Sequence, residues 1–194
     1  MVESELGEIP EGWEIGTLKD IVSLKKNPIK IVDRDKYSYY LPIDCIDSKT
    51  LTISNYEPIE EANSSLISFT TNDILFGAMR SYFHKVAIAP FDGITRTTCF
   101  VFRAKKDYLF SYSVLTIFQK ETIDYSSQHS KGTTIPYAVW ENGLDNMTIV
   151  LPKKDILFTF NNAVLPFIKK IPHSFFEIQT LTKTRSTLLP KLMS

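Results

Sequence analysis

Cysteine is nearly missing from this chain of 194 residues, which holds two, Cys45 and Cys99. Both sit in apolar, strand-like runs, so buried free thiols are favoured over a disulfide. No Cys or His pair has metal-ligand spacing, which argues against a structural zinc. No apolar run is long enough to span a bilayer, so no membrane partner is expected. The opening MVESELGEIPEGW is acidic and lacks an apolar core. It does not read as a signal peptide, and the cytoplasm is the expected location. Net charge is missing too: 22 Lys and Arg stand against 22 Asp and Glu. Taken alone, that balance argues against a generic nucleic-acid binder.

The usual catalytic signatures are absent as well. There is no phosphate-cradling loop of Gly-Lys-Ser/Thr spacing and no nucleophile elbow. Asn27-Pro28-Ile29-Lys30 begins like the Asn-Pro-Pro-aromatic motif of amino-methyltransferases. It lacks the second proline and the aromatic that would hold a flipped base. His84, His129 and His173 are scattered and suit surface or satisfied core positions. The chain is therefore expected to carry no catalytic centre, no metal and no cofactor of its own.

What is present is a core and an uneven charge distribution. Hydrophobic residues make up 43% and charged residues 23%, enough for one ordinary domain with an appendage. Residues 1–20 carry Glu3, Glu5, Glu8, Glu11, Glu14 and Asp20 against Lys19 alone. Residues 21–40 carry Lys25, Lys26, Lys30, Arg34 and Lys36 against Asp33 and Asp35. Residues 79–106 carry Arg80, Lys85, Arg96, Arg103, Lys105 and Lys106 against Asp92 alone. A neutral total can hide a basic face. On charge alone, ordinary solvated side chains remain the plainer account.

The patterning predicts an α+β fold, mainly antiparallel, with flanking helices and a long C-terminal helix. Trp13 and Ile15 are expected to anchor an extended arm. Thr17 can cap a short helix with Asp20 in the capping-box position and Leu18, Ile21, Val22 and Leu24 inward. Lys25–Lys36 reads as a loop, Tyr37–Ile46 as a strand with Leu51–Ile53 as a short partner, and Glu57–Ser65 as containing a helical turn. The runs 73–79, 84–89 and 97–103 read as a meander with one buried and one solvated face. Asp107–Lys120 should form a helix with Leu109, Tyr112, Ser113, Leu115, Thr116 and Phe118 on its apolar face, and a second helix can follow to His129. Tyr137 and Trp140 are expected on a helical turn, and Met147–Leu151 as a closing strand.

Beyond Pro152 glycine disappears and helical spacing takes over, dividing the chain into a domain, residues 1–152, and a helical region, residues 153–194. Ile156, Phe160, Ala163, Val164 and Phe167 share one face. Ile178, Leu181, Arg185, Leu188 and Leu192 form a later stripe at heptad spacing. Such a stripe needs a partner helix or its own domain. Pro166 and Pro172 predict a bend between them or a break near the second, and Pro190 a stop.

Two clusters suit contacts to DNA. ILFGAMRSYFHK (74–85) puts Arg80, Tyr82 and Lys85 near a hairpin tip, a mix that can meet phosphates and base edges. HSKGTT (129–134) offers Lys131, Gly132 and Thr133 in a loop where backbone and hydroxyl groups can meet a phosphate.

SELGEIPEGWEIGTLKDI (4–21), NDILFGAMR (72–80), GTTIPYAVW (132–140), MTIVLP (147–152) and TRSTLLPKLMS (184–194) occur in the order found in specificity (S) subunits of type I restriction-modification systems. The chain resembles one target-recognition domain of that family with its conserved helix, a C-terminal half or half-length S protein. The resemblance implies a non-catalytic subunit that reads one half of a split double-stranded DNA site. It implies docking of modification subunits, which bind S-adenosylmethionine and methylate adenine, and through them the restriction subunit. It also implies that half-length forms can dimerise through their helices. The expected DNA contacts are Lys25, Lys26, Arg34, Lys36, Arg80, Tyr82, Lys85, Arg96, Lys131 and Thr133, with Arg80 and Tyr82 on bases and the lysines on phosphates. The expected subunit interface is Ile178, Leu181, Arg185, Leu188 and Leu192. An alternative keeps only a scaffold role for the helix, with no DNA reading by the domain.

Overall fold

A computed structural model describes residues 1–192. The chain opens with a hairpin of β1 (Val2–Ser4) and β2 (Gly7–Ile9), then β3 (Glu14–Thr17), which leads straight into the one-turn helix α1 (Leu18–Ile21). The Asp20 carboxylate accepts the Thr17 N–H at 2.7 Å and the Thr17 hydroxyl at 2.8 Å, which closes the N-terminus as the local sequence predicts. The turn ends sooner than expected. Val22 and Leu24 belong to β4 (Val22–Leu24), which is drawn off the helix by pairing with a distant strand.

A short β5 (Pro28–Ile29) and a 3-10 turn at Ile31–Lys36 interrupt the predicted loop. Tyr37–Ile46 is not a strand. Tyr40 makes only isolated bridges, and Ile43–Cys45 is a 3-10 turn. The predicted partner Leu51–Ile53 contributes a single bridge, Ile46 to Ile53. The helical turn in 57–65 is present at Ile59–Glu61.

The centre is built from β6 (Leu66–Phe69), β7 (Ile74–Gly77), β8 (Val86–Ile88), β9 (Gly93–Arg96) and β10 (Cys99–Ala104). They form two antiparallel sheets, ordered β4-β10-β7-β8 and β5-β6-β9. This corrects the expected meander. β10 pairs with β7 rather than β8, and β9 leaves for the second sheet. The solvated face is also missing. Ile74 and Phe76 point into one apolar cluster and Leu75 into another, as do Phe100 and Phe102 against Cys99 and Val101. Alternation sends successive side chains to opposite faces, and both faces are covered here.

One cover is helical. α2 (Phe110–Phe118) and α3 (Lys120–Gln128) follow β10, and α2 packs on β8 and β10. Its buried residues are Ser111, Ser113, Val114, Thr116 and Ile117, a face rotated from the predicted one, with Tyr112 and Leu115 half-buried. A small hairpin, β11 (Ser130–Lys131) with β12 (Tyr137–Ala138), follows. Tyr137 is therefore in a strand, not on a helical turn. β13 (Thr148–Leu151) pairs with β3, so the closing strand meets the N-terminal arm, where Trp13 and Ile15 are half-buried.

The last element, α4 (Lys154–Leu192), is continuous through Pro166, Pro172 and Pro190. The predicted break does not occur, and the helix passes the predicted stop. At 39 residues it is about 58 Å long. Its inward face is Leu157, Asn161, Val164, Ile168, Ile171 and Phe175, so it reaches both main core clusters. The predicted face is off by about one position: Val164 is shared, but Ile156 and Phe167 point to solvent, Phe167 at 73% exposure. Packing of the first half fixes the helix direction despite the hydrogen bonds lost at the prolines. Among the described residues no helix is long and apolar enough to cross a membrane.

Candidate nucleic-acid interface

β7 and β8 are joined by a tight turn whose middle, Ser81–Phe83, is a 3-10 turn. Arg80 and His84 bracket it, both left-handed with φ of 52° and 53°. Non-glycine residues rarely adopt that backbone region, so tertiary bonds must hold it. The Arg80 N–H donates to Pro136 O at 2.8 Å, and Lys49 N–H to His84 O at 2.9 Å. The Ser48 hydroxyl donates to Phe83 O at 2.6 Å. Ser81 Oγ and Ser127 Oγ are 3.0 Å apart, and His84 Nε2 is 2.8 Å from Phe118 O. Lys49 is itself left-handed, at φ 59°. The result is a rigid corner on which the Tyr82 and Phe83 rings, 4.8 Å apart, stand 51% and 48% exposed.

The β11–β12 hairpin is seated beside this corner. Ala138 N–H donates to Ala78 O at 2.8 Å, and Met79 bridges to Tyr137. Gly132 sits at φ 92°, where an added Cβ would come within 2.8 Å of Ile135 O, so the turn requires glycine. Lys131 and Thr133 are exposed on it, and the Arg80 N–H bonds to the same hairpin at Pro136 O. The Tyr137 hydroxyl donates to Thr97 O. Burial pushes that phenol up to about 12.

Beyond Tyr137 lies a cleft of about 380 Å³ lined by Lys25, Lys26, Thr97, Phe100 and Tyr137 among others. Lys26 reaches Glu141 at 2.5 Å, with both side chains largely in solvent. Such a pair is weak and leaves the lysine available. Arg96 is exposed at the end of β9 and donates to Ser64 Oγ at 2.8 Å. Next to Ser64, Asn63 accepts from Arg34 at 2.6 Å, and Arg34 also donates to Glu60 O at 3.0 Å. Hydrogen bonds and chain neighbours thus run from Arg34 through Arg96 and Thr97 to the hairpin.

The expected polar contacts are therefore in two kinds of place. Arg80, Lys131, Thr133, Lys25, Lys26 and Arg96 surround the hairpin and the cleft. Arg34 is spent largely on the neighbouring loop, whereas Lys36 pairs with Asp33 at 2.6 Å with its side chain 74% exposed, a weak surface pair like that of Lys26. Lys85 turns inward and donates to Ile43 O at 3.0 Å and Asp44 O at 3.4 Å. Arg103, also in a basic stretch, is bound by both carboxylate oxygens of buried Asp73 at 2.7 Å. Phe83 and Tyr137 were not singled out as contacts. The first is signalled by its place beside Tyr82 at a turn tip, the second by nothing local. Among the described residues, no three His, Cys, Asp or Glu side chains gather as a metal site.

The far half of α4 leaves its domain. Ile178 and Leu181 are 60% and 68% exposed, and Arg185 and Leu188 are exposed beside them. Leu192 closes the helix, and its side chain lies outside what the structure describes.

These features define a class of molecule: an α+β domain with a basic, aromatic rim and a projecting helix that presents apolar side chains. Residues 10–172 match the family described as the type I restriction modification DNA specificity domain, and the chain belongs to that family. It is 28% identical over 204 residues to the type I restriction enzyme MjaIX specificity subunit of Methanocaldococcus jannaschii, covering 96% of this chain and 44% of that protein. It is 29% identical over 139 residues to the type I restriction enzyme EcoDI specificity subunit of Escherichia coli, covering 68% and 30%. The fold is shared with the crystal structure of the HsdS subunit from Thermoanaerobacter tengcongensis, at a TM-score of 0.60 and 20% identity, covering 96% of this chain and 48% of that one. A chain from a structure addressing complex assembly and conformational transition of the type I R-M system gives 0.62 and 20%, covering 94% and 48%. The chain thus spans about half the length of these relatives, or less.

Proposed function

We propose that this chain recognises a double-stranded DNA sequence as the specificity component of a type I restriction-modification complex, reading one half-site without chemistry of its own. The observation that carries this reading is the convergence of Arg80, Lys131, Thr133, Lys25, Lys26 and Arg96 around one hairpin and cleft in a chain of zero net charge. Cations in such a rim neutralise phosphates, while Arg80 suits base edges. We assign recognition to residues 1–152 and spacing and assembly to residues 153–194, the first half of α4 being packed into the recognition core. Assembly partners are a modification subunit, which would bind S-adenosylmethionine, and through it a restriction subunit, all in the cytoplasm.

The test is binding of the full chain to duplexes selected from a randomised pool, followed across salt. Sequence-selective binding whose affinity falls steeply with salt supports the reading. Equal affinity for selected and scrambled duplexes sinks it. The exposed stripe on α4 favours a second role, a helical scaffold that joins two such domains or recruits the modification subunit. The two roles separate cleanly, because charge introduced at Leu181 and Leu188 should abolish assembly and leave the domain's own fold intact.

A further inference from the structure

The turn between β7 and β8 carries a feature that phosphate contacts leave unexplained. Five non-glycine residues among those described have positive φ, and three of them, Lys49, Arg80 and His84, meet at this one corner. Backbone held in sparsely populated regions persists only where the surroundings over-determine it, and it clusters at functional sites. Here the Pro136 carbonyl, the Ser48, Ser81 and Ser127 hydroxyls and the Phe118 carbonyl hold the corner from four directions. What the corner presents is apolar: Tyr82 and Phe83, tilted at 55° to each other, each about half exposed. A solvated turn has no need of two neighbouring aromatic rings, and two cations belong to the same assembly: Arg80 in the turn itself and Lys131 on the hairpin whose Pro136 carbonyl binds the Arg80 N–H.

We propose that Tyr82 and Phe83 form a preorganised wedge that enters the stack of the bound duplex at one base step, and that this chain thereby reads how easily the step opens. The inference rests on the DNA-recognition reading above and adds a mode of recognition to it. An apolar side chain inserted between base pairs partly unstacks them and kinks the helix. Flexible pyrimidine–purine steps open more readily than stiff A-tracts, so specificity arises at a position with no hydrogen-bonded base edge. A rigid support matters because a floppy turn would fold its rings back onto the protein instead of the stack. Lys131 holds a nearby phosphate while the step opens.

The experiment uses the full chain and a duplex of about 30 base pairs selected by it from a randomised pool, with 2-aminopurine placed in turn at each position. Wild-type protein should brighten the probe at one step and its immediate neighbour. Tyr82→Ala/Phe83→Ala should abolish the brightening and weaken binding about tenfold or more, the scale of one lost base–aromatic stack. Tyr82→Phe/Phe83→Leu keeps the apolar volume and should restore both, which also guards against a variant that merely fails to fold. Changing the brightened step to part of an A-tract should weaken the wild type and not the alanine variant. If the wild type binds without brightening any position, or the folded alanine variant binds and brightens as the wild type does, the wedge is overturned and the DNA reading stands. The turn would then be a surface for another protein. If the wild type binds no duplex in a salt-dependent way, the DNA reading itself falls and the wedge with it.

Discussion

Asp73 shows what one residue contributes here. It is almost fully buried just before β7, accepts the Thr70 N–H at 2.8 Å, and holds the Arg103 guanidinium with both oxygens. Breaking a fully buried pair costs roughly 3–5 kcal/mol. The Arg103 side chain is 41% exposed, so water screens part of the loss, and Arg103→Leu should lower unfolding free energy by about 2 kcal/mol. Urea denaturation checks this, and an unchanged midpoint would show the pair to be idle. Three other residues set a limit at high pH. Burial raises the Cys45 and Cys99 thiols from 9.0 to about 12, and the Tyr137 phenol from 10.0 to about 12. Each is a neutral acid held more tightly in the fold than in the open chain. The stability they lend is complete below the unfolded values and drains as pH climbs from 9 toward 12. The melting temperature should fall across that window, and Cys45→Ala/Cys99→Ala should flatten the fall.

At the scale of elements, α4 has two unlike halves. The first half packs Leu157, Ile168 and Phe175 into the core, and the second half carries Ile178, Leu181 and Leu188 into solvent. Proline in a helix interior is about 3 kcal/mol less favourable than alanine. Pro166 is exposed, so Pro166→Ala should raise stability by roughly 1–3 kcal/mol without repacking, measurable by thermal unfolding. A flat response would mean that the domain already absorbs the strain. Leu181→Glu/Leu188→Glu belongs to the other half. It should leave the melting temperature within a degree or two, as surface changes do, and should eliminate any dimer or subunit complex seen by light scattering. A mass that does not change on substitution argues against assembly through this stripe.

At the scale of the whole molecule, the useful quantity is where charge lies rather than how much there is. The acidic N-terminal segment and the cationic rim cancel in the total, yet the fold gathers Arg80, Lys131, Lys25, Lys26 and Arg96 around one hairpin and cleft. Lys131→Ala should therefore weaken binding about equally for every duplex sequence and reduce the salt slope by about one. Arg80→Gly, which tolerates the left-handed backbone, should relax discrimination between selected and scrambled DNA. The same slope for both variants and the wild type would place the interface elsewhere.

Local signals were legible in the sequence because their physics is local. Thr17 and Asp20 close a helix start three residues apart, and the periodicity of 107–128 and of the segment beyond Pro152 needs no distant partner. The α+β class, with its mainly antiparallel strands, followed from those runs, and the order of the family motifs pointed to the family. What depends on pairing across the chain was not legible. β9 joins β6 and β10 joins β7 through hydrogen bonds that no neighbouring residue announces, so a meander looked equally good. The inward face of α4 was misplaced because that helix is apolar on two sides, one for its own core and one for solvent or a partner, and spacing alone cannot rank them. Lys85, Arg34 and Arg103 read as free cations until backbone carbonyls and a carboxylate were brought to them. The sequence by itself determined the capped turn at Thr17, the helical stretches after β10 and beyond Pro152, the class and the pool of basic and aromatic residues. Only the tertiary structure decided which of those side chains are spent inside, and that the turn at Tyr82 and Phe83 is held rigid from several sides, because burial and strain are properties of what surrounds a residue rather than of the residue.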